Sequence, residues 1–282
     1  MKKFLRDTSF VFLFTLPILF LFDKYAVKLS KNVYTEKLAY ISSHGSQIKT
    51  LLLGNSVAEN SFNLLELGDS VYCLAINGRY MYYDIILLER TIHNFENLTT
   101  ILYPLHYNFY TYPASDYKEY IYSYYKFMHI ATPPYTTIFY TSAILTNHFH
   151  HSHKPLPDSL RGTDLFTTTW NGQQNKDIPA QSGFDTCLIY MREMARICME
   201  RNVRFIVFTP PFPDLYINSC SPQGIANLSR IIDSVRVYHP VEYINYMNHP
   251  DFREKHLYAN WNHLNKDGAT LFAQQVAQDF GL

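Results

Sequence analysis

The chain has 282 residues, enough for one large domain with a full core and only marginally enough for two. Its 24 Lys and Arg balance 24 Asp and Glu, so no summed positive field gathers phosphate backbones and nucleic acid is not an expected partner. Cys73, Cys187, Cys198 and Cys220 lack the close spacing of a disulfide scaffold or a zinc site, so neither a metal nor another cofactor is expected.

At the amino terminus Lys2, Lys3 and Arg6 precede an uncharged apolar run from Ser9 to Phe22. As a helix this run spans roughly 21 Å, the length of a signal-peptide core and short of a full bilayer crossing. No small-x-small cleavage site follows it, because the next residues are Asp23, Lys24 and Tyr25. The expectation is an uncleaved signal-anchor over residues 1–24, basic end in the cytoplasm, with the rest of the chain (25–282) outside. A buried or interfacial amino-terminal helix is the alternative, since Lys24, Lys28 and Lys31 weaken the charge asymmetry.

After a polar connector, residues 47–53 form an apolar run that stops at Gly54-Asn55-Ser56, the pattern of a buried strand ending in a tight turn that opens a helix. Residues 71–76 repeat the pattern and stop at Asn77-Gly78. Helical spacing over 80–93 leads to a third strand over 98–105. Further on, the spacing predicts helices over 187–200, 225–235 and 267–280, and strands over 203–208 and 241–244. Alternation of this kind predicts a three-layer α/β/α sandwich with a mainly parallel, flavodoxin-like sheet and a site at the carboxyl ends of its strands.

Residues 107–180 break the rhythm and read as an insertion lying over the site. Within it the histidine run from Asn147 to His153 lacks a supporting carboxylate pattern and reads as a solvated loop. The 24 Tyr and 20 Phe are read first as core packing and second as stacking surfaces for sugars; Trp170 and Trp261 fit either role.

Two segments carry the chemistry. In one, a buried strand delivers Ser56 into a turn whose N–H groups can receive an oxyanion; in the other, His263 sits just before the last helix. A serine is inert near neutral pH until an imidazole takes its proton, so the pair is expected to act together. The bland readings are a helix-capping Ser56, a His263 bonded to backbone, and Asn55 and Gly78 as ordinary turn residues.

These segments resemble the SGNH/GDSL superfamily of esterases and acyltransferases, in particular its membrane-tethered bacterial members that act on cell-surface polymers. Gly54-Asn55-Ser56 is similar to the family's first block, with Asn55 where aspartate is usual. The strand leading to Asn77-Gly78 is similar to its second block, which implies Gly78 as an oxyanion donor beside the Ser56 N–H. Asn108, after Tyr103-Pro104-Leu105-His106-Tyr107, stands for the family's third-block asparagine. His263-Leu264-Asn265 with Gly268 matches the last block, except that Asn260 replaces its aspartate. Asn260 could orient the ring through its carbonyl, or Asp251 or Asp267 could reach the ring instead.

The resemblance implies a serine-dependent acyl-ester hydrolase or O-acyltransferase acting on acylated carbohydrate or polysaccharide at the bacterial cell membrane, through Ser56, His263 and Asn260. A catalytically degenerate module that binds glycan or organises an envelope-modifying complex is the alternative that Asn260 favours.

Overall fold

The computed structural model describes residues 33–111 and 183–282, together with 13–15, 17–18 and 21. The chain divides into two units, Met1–Ala39 with Tyr117–Ser152, and Tyr40–Asp116 with His153–Leu282. Most of the first unit lies outside the described residues, as do the histidine run, Trp170 and nearly all of the expected insertion. Its described positions 13–15, 17–18 and 21 are helical, and Leu13, Phe14, Ile18 and Leu21 are exposed. Among the described residues no helix is long and apolar enough to cross a membrane.

The second unit holds an all-parallel sheet of β1 (Thr50–Leu52), β2 (Val71–Cys73), β3 (Thr100–Pro104), β4 (Arg204–Thr209) and β5 (Glu242–Asn245). The strand order is β2-β1-β3-β4-β5. The chain winds outward from β1 to β2, then restarts at β3 on the other side of β1. The reversal opens a crevice at the carboxyl ends of β1 and β3, where ligands of such sheets sit. All of β1 and β3, and all of β4 beyond Arg204, is buried, which is why these strands read as unbroken apolar runs rather than alternating ones.

The helices are α1 (Val33–His44), α2 (Ser56–Ser61), α3 (Met81–Thr91), α4 (Tyr107–Thr111), α5 (Phe184–Glu200), α6 (Asp214–Ile217), α7 (Pro222–Arg236) and α8 (Lys266–Phe280). Helices of the second unit lie on both faces of the sheet. On one face α3, α5 and α7 pack together, α5 burying Cys187, Met191, Met194 and Cys198 at helical spacing. None of the four cysteines forms a disulfide. On the other face α2 and α8 cover Leu52, Leu102, Ile206 and Phe208. The fully buried Phe272 of α8 sits there among Phe62, Tyr246 and Phe252 at ring distances of 5.1, 5.0 and 5.6 Å. Burial of a ring of this size stabilises by about 2–3 kcal/mol and fixes α8, and with it the loop that carries His263.

Several boundaries differ from the sequence expectation. The polar connector contains α1, whose stripe is too weak to stand out from the pattern. The helix expected from residue 225 begins at Pro222, because Ser221 caps it by accepting from the Gly224 N–H at 3.1 Å and proline suits the first helical position.

Candidate active site

Ser56 follows β1 through a turn that only glycine suits. Gly54 has φ +118°, and a Cβ there would meet the Pro104 ring at 2.7 Å. Asn55 caps α2, its side-chain oxygen accepting from the Val57 N–H at 3.0 Å, so Ser56 becomes the first residue of that helix. The turn is tied sideways by the Ile76 N–H, which donates to Gly54 O at 3.1 Å and brings the Asn77-Gly78 turn alongside.

Beneath it lies a fully buried ion pair, Arg79 Nε to Asp84 Oδ1 at 2.6 Å. Asp84 accepts from the Tyr103 hydroxyl at 3.0 Å and from the Gly54 N–H, while Arg79 also donates to Leu74 O. Burial raises the Asp84 carboxyl above its usual range, opposed by Arg79, Tyr103 and the Gly54 N–H. The Ser56 turn therefore rests on a charged pair that the sequence reading did not find. Single charges at 79 and 84 look like solvated residues until the fold brings them together.

His263 lies in a loop closed on itself. Tyr258 and Leu264 form an antiparallel bridge, and the Ala259 N–H donates to His263 O at 2.9 Å. Asn265 then caps α8, accepting from the Gly268 N–H at 3.0 Å. Gly268 approaches so closely that a Cβ there would meet Leu257 O at 2.2 Å. This loop brings His263 Nε2 to 3.0 Å from Ser56 Oγ, across 207 positions of sequence.

Asn260 also meets the ring, though not as a carbonyl acceptor. Its Oδ1 accepts from the Asn262 and His263 N–H groups at 3.0 and 2.9 Å, which leaves Nδ2 facing His263 Nδ1 at 3.0 Å. Turning the amide over would set its NH2 against two backbone donors. Neither Asp251 nor Asp267 takes the missing carboxylate's place. Asp251 lies 3.8 Å from His249, Asp267 is exposed in the first turn of α8, and burial alone pushes the His263 imidazole down to about 4.

His106 and Asn108 both follow the third strand. His106 is buried, its Nε2 lies 3.4 Å from Asn55 Nδ2, and burial reinforced by the charge of His263 pushes it down to about 3. Asn108 sits in α4, where its backbone meets the Tyr216 hydroxyl. Behind the site Trp261 stacks on Tyr216 at 5.6 Å, Tyr216 stacks on Phe212 at 4.1 Å, and Phe212 lies 6.0 Å from His106. Trp261 thus packs on an aromatic column. Among the described residues no cluster of His, Cys, Asp or Glu could hold a metal.

No family model and no curated protein matches the sequence. Among solved structures, one provisionally named as a platelet activating factor from Streptococcus pneumonia is similar with 12% identity and a TM-score of 0.50, over 94% of this chain and 98% of that one. The chain shares the fold of that structure, an α/β fold with an all-parallel sheet and helices on both faces. Two further similar structures are a provisionally named acylhydrolase from Bacteroides fragilis and a GDSL-like lipase from Bacteroides thetaiotaomicron, each 11% identical. They have TM-scores of 0.44 and 0.46, over 89% and 88% of this chain and 98% and 97% of theirs. Within this fold, Ser56 and His263 stand at the carboxyl edge of the sheet, at the crevice between β1 and β3.

Proposed function

We propose that the chain is a serine-dependent acyl-ester hydrolase or O-acyltransferase that acts on cell-surface carbohydrate, with its 1–24 segment as a membrane anchor and its catalytic domain outside the cytoplasm. The observation that carries the reading is the 3.0 Å approach of His263 Nε2 to Ser56 Oγ. With a lone pair on Nε2, His263 takes the hydroxyl proton as Ser56 Oγ attacks the acyl carbonyl, and returns it to the departing alcohol. The N–H groups of Ser56 and Gly78, with Asn108 on the β3 side, receive the oxyanion. Water, or a sugar hydroxyl, then attacks the acyl-serine. The carbohydrate acceptor and the membrane setting rest on the resemblance to the membrane-tethered bacterial subgroup.

A second reading, a degenerate module that binds glycan, is favoured by Asn260, which supplies no charge to the ring. The two separate on turnover. The full chain in detergent, given a soluble O-acetylated polysaccharide, is expected to release acetate or pass it to an added sugar, and Ser56→Ala to do neither. Glycan retention by both forms with release by neither would establish the second reading.

A further inference from the structure

We propose that Asn260 is a positioning residue that holds His263 in its Nε2–H tautomer, so that the resting histidine donates to Ser56 Oγ and cannot take its proton. The inference deepens the reading of Ser56 as nucleophile and rests on it. A neutral imidazole carries one N–H and one lone pair, and the partner of each nitrogen decides which is which. The partner of Nδ1 is Asn260 Nδ2 at 3.0 Å, an amide nitrogen with hydrogens to give and no lone pair to offer. Nδ1 must therefore carry the lone pair, and the proton falls to Nε2, 3.0 Å from Ser56 Oγ. The opposite tautomer would set an N–H against an NH2. Rotating the amide to escape that clash would break both bonds to Asn260 Oδ1 and face the same NH2 with two backbone donors. Burial keeps the ring neutral near pH 7, so the imidazolium offers no way around the choice.

A carboxylate in the same place keeps both backbone bonds on one oxygen and presents its other oxygen to an Nδ1–H, leaving the lone pair on Nε2. The amide reverses the polarity of the pair. Ser56 is left as an acceptor whose own hydrogen is directed away from the histidine. Before attack the ring must exchange protons with solvent, losing one from Nε2 and gaining one at Nδ1, into a form that Asn260 disfavours. In a serine protease the same aspartate-to-asparagine swap lowers turnover about 10⁴-fold.

Two measurements on the full chain and on Asn260→Asp test this. Two-bond 1H–15N correlation spectra of 15N-histidine-labelled protein, with His263 assigned by its loss in His263→Gln, are expected to show Nε2 protonated in the wild type and Nδ1 protonated in Asn260→Asp. A wild-type His263 protonated at Nδ1 overturns the proposal. Labelling of Ser56 by a fluorophosphonate is expected to be about 10³–10⁴-fold faster in Asn260→Asp; equal, measurable rates in the two forms overturn its kinetic half. Absence of labelling in both, with the tautomers as stated, sinks the nucleophile reading and leaves the tautomer assignment standing.

Discussion

The two halves of the site are held in opposite ways. The serine turn stands over the buried Arg79–Asp84 ion pair and the Tyr103 hydroxyl that donates to it, residues far along the chain, and is shaped by the Pro104 ring. The histidine loop is held by its own backbone and by Asn260, and is anchored through the purely apolar seat of Phe272. The position of the serine is thus a tertiary property, while the orientation and tautomer of the histidine are local ones. Changes on the serine side should act through stability; changes in the histidine loop can alter chemistry with the fold intact.

The largest expected effect breaks the serine side. Asp84→Leu leaves Arg79 charged and unpaired in a site with no solvent access, and is expected to cost about 3–5 kcal/mol in urea unfolding. The double variant Arg79→Leu with Asp84→Leu should recover part of that loss, since no charge is then stranded; a double variant worse than the sum of its singles would contradict the pairing.

Gly54→Ala sharpens the same point on a smaller scale. It demands φ near +118° of an alanine and drives its Cβ into Pro104, so a loss of about 1–3 kcal/mol is expected, with slower labelling of Ser56. On the histidine side Asn265→Ala removes the α8 cap and should cost about 1 kcal/mol in thermal or urea unfolding.

A further effect is in pH. His106 and His263 stay neutral in the folded chain down to about 3 and about 4, against an ordinary 6.5, chiefly through burial. The unfolded chain therefore binds more protons below pH 6.5, and stability falls as pH drops from about 6.5, the His263 contribution levelling near 4 and the His106 contribution near 3. Urea midpoints at pH 7.5 and 5.0 should show the fall, and His106→Gln should make it shallower; an unchanged slope would mean that His106 does not carry its share.

The same division decides what the sequence makes legible. β1, β3 and β4 are visible because strands buried on both faces leave unbroken apolar runs, Ser56 because it sits at the abrupt stop of such a run, and His263 because it sits just before the periodic last helix. The Ser221-Pro222 start of α7 was available as a local signal, since a capping serine before proline marks a helix entry. Arg79, Asp84 and His106 carry no local signal at all, because their burial exists only once β2, β3 and α3 have assembled. Asn260 is visible as a residue, but the direction of its amide depends on two backbone N–H groups that only the folded loop presents.

The most direct test of the central claim, that Ser56 and His263 form a working acyl-transfer pair, is mass-spectrometric location of the fluorophosphonate adduct on the full chain and on Asn260→Asp. The account predicts an adduct on Ser56 in both, absent in Ser56→Ala and strongly reduced in His263→Ala. A folded wild type and a folded Asn260→Asp that both leave Ser56 unmodified would contradict it.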